Sequence, residues 1–138
     1  MDEVAAYVFE PCQGEGGYII PPPDYFRQMG FLKKEGVLFV DDEIQTGMGM
    51  TGKFFAVEHF GIEPDITSIA KGIASGLPLG AIIAKANIMQ PWKPGQHAST
   101  FGANPVAVAA TLATLEVGEI REVDPKREED GRDRYEKA

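Results

Sequence analysis

Three short stretches carry side chains able to do chemistry. The first is Asp41-Asp42-Glu43-Ile44-Gln45, directly after the apolar run Val37-Leu38-Phe39-Val40. The second is Ala70-Lys71-Gly72, after Asp65-Ile66-Thr67-Ser68-Ile69. The third is His97-Ala98-Ser99-Thr100-Phe101-Gly102, just ahead of Asn104-Pro105. An acid, a lysine and a hydroxyl pair, each following a strand or preceding a helix, suit a reaction that uses a pyridine ring as an electron sink. A carboxylate keeps the ring nitrogen protonated. A lysine bonds to the cofactor's carbonyl carbon and then moves a proton. Hydroxyls and backbone N–H groups, best at a helix N-terminus, hold a phosphate.

The elements that must position these groups are legible in outline. Residues 4–9 are a nearly continuous apolar run, as in a buried strand of a parallel sheet. A glycine-rich loop follows. Asp24, after three prolines, is placed to cap a helix reaching about Glu35, with Gly36 behind it. Residues 37–41 read as a second strand, which completes a strand–helix–strand unit. Residues 54–60 suit a short helix, 65–70 a third strand and 79–84 a fourth. A longer helix starts at Asn104 with Pro105 in its first turn, its apolar face made by Ala107, Ala110, Leu112, Ala113 and Leu115. The expected class is α/β, with a mainly parallel sheet flanked by helices, and ligands then bind at the carboxyl ends of the strands.

The motifs DDEIQTG, GK-F-A-EHFGI-PDI, IAKGIASGLPLGA and STFGANPVAVAA follow one another in an order that resembles the class III aminotransferases, enzymes of fold type I dependent on pyridoxal 5'-phosphate (PLP). EPCQGEGGYIIPP resembles the same family, and so does the 29-residue separation of Asp42 and Lys71. The resemblance covers about residues 5–117. It implies that Lys71 bonds covalently to PLP and shuttles a proton, that Asp42 pairs with the ring nitrogen, that Gln45 contacts the ring hydroxyl and that Ile44 packs on the ring. It implies that Thr100, helped by Ser99, binds phosphate across a subunit interface, and that Glu15 is a gate acid for a mobile arginine. The implied reaction moves an amino group from an amino acid, such as the omega-amino donors 4-aminobutyrate or ornithine, to a 2-oxo acid. The intact enzyme is then a homodimer. A racemase would use the same Lys71 and Asp42.

Family chains are longer. The resemblance implies that residues 1–118 are part of the PLP-binding large domain, without the upstream phosphate loop, the ring-stacking aromatic or the carboxyl-terminal substrate arginine. Such a piece is expected to be catalytically inactive alone, a structural or dimer-interface module at most, with apolar faces left open. Residues 119–138 form a charged tail expected to be disordered.

Other readings are weaker. Asp41, Asp42 and Glu43 are adjacent, so strand alternation keeps them from converging on a metal ion, and none is expected. Gly47-Met-Gly-Met-Thr-Gly52-Lys53 mimics a phosphate loop, but Phe54 stands where a Ser or Thr would hold magnesium, and no long helix follows. His59 reads as structural, Cys12 as a small buried filler and Glu10 as a residue that orients its loop. Met50 and Ala103 stand where the family usually has arginine and glycine. A net charge of −8 argues against nucleic acid. One cysteine, an acidic start and the lack of a long apolar run point to a cytoplasmic protein without disulfides or membrane spans.

Overall fold

In the computed structural model, which describes residues 3–123, four short strands form one sheet in chain order. They are β1 (Ala6–Phe9), β2 (Leu38–Asp42), β3 (Ile66–Ile69) and β4 (Ala81–Ala84). β1 pairs with β2, and β2 with β3, in parallel; β4 runs antiparallel to β3 with Ala81 opposite Ile69. The α/β class and the mainly parallel sheet are therefore as expected. β4 reverses because residues 70–80 contain only a 3-10 turn, Lys71–Ala74, and no crossover helix to carry the chain back.

The expected single helix from Asp24 to about Glu35 is instead two one-turn helices, α1 (Tyr25–Gln28) and α2 (Phe31–Lys34), broken at Met29-Gly30. The core explains the break. Phe26 and Leu32 are both buried. Residues six apart on one continuous helix lie on different faces, so the interruption lets both side chains reach the sheet. They join Phe9, Val37, Phe39 and Val57. Ring centroids lie 4.6 Å apart for Phe9–Phe26 and 4.9 Å for Phe26–Phe60. The short helix expected at 54–60 is a 3-10 turn, Ala56–Phe60, whose start is tied by the Glu58 carboxylate accepting the Phe55 N–H at 2.7 Å.

A one-turn helix, α3 (Ala86–Met89), and a 19-residue helix, α4 (Pro105–Val123), complete the described chain, α4 being the only long one among the described residues. Asn104 caps α4 as expected, its side-chain oxygen accepting the Val106 and Ala107 N–H groups. The face that α4 turns inward differs from expectation. Ala107 is buried and Ala110, Thr111, Thr114 and Gly118 are half-buried, whereas Leu112 is 63% exposed and Ala113 and Leu115 also face outward. The helix lies close on the Lys71–Ala74 turn and on Phe54, so only small or hydroxylated residues fit. A Cβ on Gly118 would meet Phe54 at 2.7 Å, and Thr114 exchanges a hydrogen bond with Ser75 at 2.8 Å. α4 also runs five residues past the expected boundary at 118; the rest of the tail, 124–138, lies outside the described residues.

At the amino end of the strands, Asp65 ties three elements together. Its carboxylate accepts the Phe39 N–H of β2 at 2.8 Å and the Lys85 ammonium at 2.8 Å, with Lys33 of α2 at 3.9 Å. Burial alone would raise this carboxyl. The Lys85 and Phe39 hydrogen bonds and the two nearby cations more than offset it, leaving the group below its ordinary value. A depressed carboxyl contributes stability above its unfolded pKa and loses it as pH falls. Asp65→Ala is expected to cost about 1–3 kcal/mol near neutral pH in urea denaturation. The difference from the unchanged chain should shrink as pH drops below 3.8.

Candidate cofactor site

The acids after β2 are sorted by strand alternation. Phe39, Asp41 and Glu43 face the core, and Val40 and Asp42 face the other side. That second side is thinly covered: Val8 is 65% and Ile82 51% exposed. Asp42 sits there, half-buried, in a row with Ser68 and Ile82. Its Oδ1 accepts the Ile44 N–H at 3.1 Å, and it makes no ion pair among the described residues. A carboxylate at the carboxyl end of a strand, on the open face, is available to a ligand.

The core-facing acids were not foreseen. Glu43 is buried and fully satisfied: Oε1 accepts the Val57 N–H at 2.8 Å and Oε2 accepts the Thr46 hydroxyl. It thereby holds the Gln45–Phe55 loop onto the 3-10 turn. Asp41 is completely buried, and neither oxygen has a hydrogen-bond partner. Burial pushes its carboxyl up to about 8, helped by the charges of Glu43 and Asp42, against a weaker opposite pull from Thr67. Counting in twos from Phe39 is the signal that would have found both.

Lys71 begins the turn directly after β3. Strand pairing runs Asp42 opposite Ser68, and Glu43 N–H continues into the Ser68 carbonyl at 2.9 Å. Lys71 is thus three residues beyond a hydrogen-bonded neighbour of Asp42, roughly 10 Å along the strand. Its φ of 50° is left-handed, unusual for a side chain with a Cβ. The same holds for Ser75. Strand alternation would send Lys71 to the core side with Thr67 and Ile69; the left-handed step ends the strand there. The lysine is exposed and lines an open hollow of about 550 Å³ between residues 70–72 and 75–79. Gly72 sits close under Met48 of the loop after β2.

Gln45 is half-buried and reaches across to the loop after β1, where its side chain touches Gly14. Ile44 is half-buried. Glu10 orients that β1 loop as expected, accepting the Gly14 N–H at 2.8 Å. Glu15 lies exposed in the following turn. Ser99 and Thr100 are exposed ahead of α4, and Ser99 Oγ accepts the Gly102 N–H at 3.0 Å. No hydrogen bond among the described residues links them to Asp42, Gln45 or Lys71. Asp42 and Gln45 stand at the end of β2 and Lys71 just past β3, with no hydrogen bond among the described residues joining them, and Ser99 and Thr100 lie on the exposed loop ahead of α4.

Gly47 belongs to packing: a Cβ there would meet the Glu43 carbonyl at 2.8 Å. The His59 ring bonds to Thr51, a structural role. Cys12 is half-buried, not the buried filler expected, because its loop leaves the sheet there. No helix of the described residues is long and apolar enough to cross a membrane.

The family model for class-III aminotransferases matches residues 1–132. The chain belongs to this family. Acetylornithine aminotransferase of Methanothermobacter thermautotrophicus is 50% identical over 117 residues, covering 84% of this chain and 30% of that protein. Leucine/methionine racemase of Thermococcus litoralis is 48% identical over 124 residues, covering 89% of this chain and 28% of the relative. Among solved structures, ornithine delta-aminotransferase of Plasmodium falciparum superposes with a TM-score of 0.79 at 42% identity, over 86% of this chain and 32% of that one. The chain thus spans about a third or less of each. The family match also runs well past residue 117, so the likeness does not stop where the charged tail begins. Ala103, just ahead of α4, adopts a left-handed φ of 56°.

Two outcomes follow from these strained and orphaned groups. A buried carboxyl with a raised pKa binds a proton that the unfolded chain has lost, so stability falls as pH rises from 3.8 toward about 8 and then levels. Asp41→Asn should lose that slope and be more stable at pH 8 by about 1–3 kcal/mol, read from urea midpoints across a pH series. Ala103→Gly, by relieving the left-handed backbone, should raise stability by about 0.5–1 kcal/mol, seen as an increase in melting temperature.

Proposed function

We propose that this chain carries the lysine and ring-binding part of a PLP site in a transaminase that moves an amino group between an amino acid and a 2-oxo acid. The observation that carries the reading is the parallel β2–β3 pairing, which sets Asp42 and Lys71 at neighbouring strand ends. The donor set fits the cofactor's ring and aldehyde: a carboxylate on the open face, an amide beside it and an exposed amine. When bound, PLP supplies an electron sink for the substrate's α-carbon. Asp42 holds a proton at the ring nitrogen. Gln45 donates to the ring hydroxyl, and Ile44 limits how the ring tilts. The Lys71 amine would hold the cofactor through its aldehyde carbon and, as a free amine, would carry a proton between carbons of the substrate and cofactor. Ser99 and Thr100 serve phosphate on a second copy, in the homodimer of the intact enzyme. Glu15 stands where a mobile arginine could be held.

Relatives named for acetylornithine, ornithine and 4-aminobutyrate support an omega-amino donor. A racemase is the second reading, favoured by the 48% identity to the leucine/methionine racemase. Lys71 would then return a proton to the carbon it came from.

The test is covalent trapping. The purified chain is titrated with PLP, reduced with borohydride and mapped by mass spectrometry. The expected label sits on Lys71 and disappears in Lys71→Ala. Asp42→Asn should weaken PLP binding by about tenfold, the loss of one charge-assisted hydrogen bond. Label spread equally over surface lysines in both proteins would sink the reading.

A further inference from the structure

Gly14 is buried at the end of the β1 loop, and no space remains beside it. A Cβ built there would run into the Gln45 amide nitrogen and lie 2.8 Å from its Cδ and 3.4 Å from its Cγ. Real Cβ atoms do not approach so closely. Gly14 is itself fixed. Its N–H is donated to Glu10 Oε2 at 2.8 Å, and its carbonyl accepts the Gly17 and Tyr18 N–H groups at 3.0 and 3.1 Å. Gln13 and Ile19 bridge across the same turn. Gln45 has no hydrogen-bond partner of its own among the described residues that would fix its rotamer. What bounds its amide is the bare backbone of Gly14.

We propose that Gly14 is a positioning residue for Gln45: the Glu10-anchored glycine acts as a stop that sets where the Gln45 amide points, and so where it meets the ring hydroxyl of the cofactor. This rests on the reading of Gln45 as a PLP contact. It also goes beyond it, because the β1 loop becomes part of the ring-recognition apparatus without touching the ring. The glycine's φ is not left-handed, so alanine suits the backbone there. The clash is with the far end of a flexible side chain, so the fold should tolerate it while Gln45 must move.

The experiment uses the full chain. In the 15N spectrum, the Gln45 side-chain amide signal is assigned by its loss in Gln45→Ala. Gly14→Ala should shift that signal while the melting temperature changes little. With PLP as the probe, Gly14→Ala and Gln45→Ala should each weaken binding about fivefold, the net effect of one hydrogen bond. The double variant should be no weaker than either. An unmoved Gln45 signal in Gly14→Ala overturns the proposal. So does full PLP affinity in Gly14→Ala where Gln45→Ala is weakened, and in that case the cofactor role of Gln45 stands. Unchanged PLP binding in Gln45→Ala removes the cofactor role itself and this proposal with it. If Gly14→Ala misfolds, Gln45→Ala should restore the fold by clearing the space; failure to restore it also overturns the proposal.

Discussion

Strand β2 pairs in parallel with β3 from Val40–Ile66 to Asp42–Ser68, and the Glu43 N–H carries the ladder one step further into the Ser68 carbonyl. The placement of Asp42 relative to Lys71 hangs on this ladder. Two parallel strands end at the same edge of the sheet, so Asp42 comes opposite Ser68, three residues before Lys71. Removing the pairing would leave Asp42 and Lys71 as two unrelated surface charges. The Asp65 cluster at the opposite end of the strands serves the same register, because it bonds the β2 backbone at Phe39 while gripping Lys85 just after β4.

Alternation along β2 gives the three consecutive acids three different tasks. Asp42 faces the open side and is left for a ligand. Glu43 goes inward, where two donors satisfy it and the loop after β2 is held in place. Asp41 goes inward with no donor, so it keeps its proton near neutral pH. A charged Asp41 next to a charged Asp42 would be unfavourable at such short range and low dielectric.

The open face has a consequence for what this chain can do by itself. Val8 and Ile82 are largely exposed beside Asp42, and α4 presents Val106, Leu112 and Val117 to solvent. Apolar surface of this kind is covered in stable proteins by further elements or by partners. A charge beside Asp42 gains little shielding from water here, so its electrostatic bonds are weaker than in an enclosed site.

Much was legible in the sequence because it depends on short-range rules. Apolar runs ending in Asp42 and near Lys71 marked strands. Asn104-Pro105 marked the start of a helix. The order of motifs marked the family. What failed did so where distant residues compete for one core. The helix expected at 24–35 breaks because Phe26 and Leu32 must both reach the sheet. The inner face of α4 is alanine and threonine, not leucine, because Phe54 and the Lys71–Ala74 turn stand too close for larger side chains. By itself the sequence determined which residues carry chemistry, since side-chain type and spacing are local. Tertiary structure alone decided how they are placed: the register of β2 against β3 sets Asp42 opposite Ser68, three residues before Lys71, the β1 loop presses Gly14 onto Gln45, and Ser99 and Thr100 are left on an exposed loop.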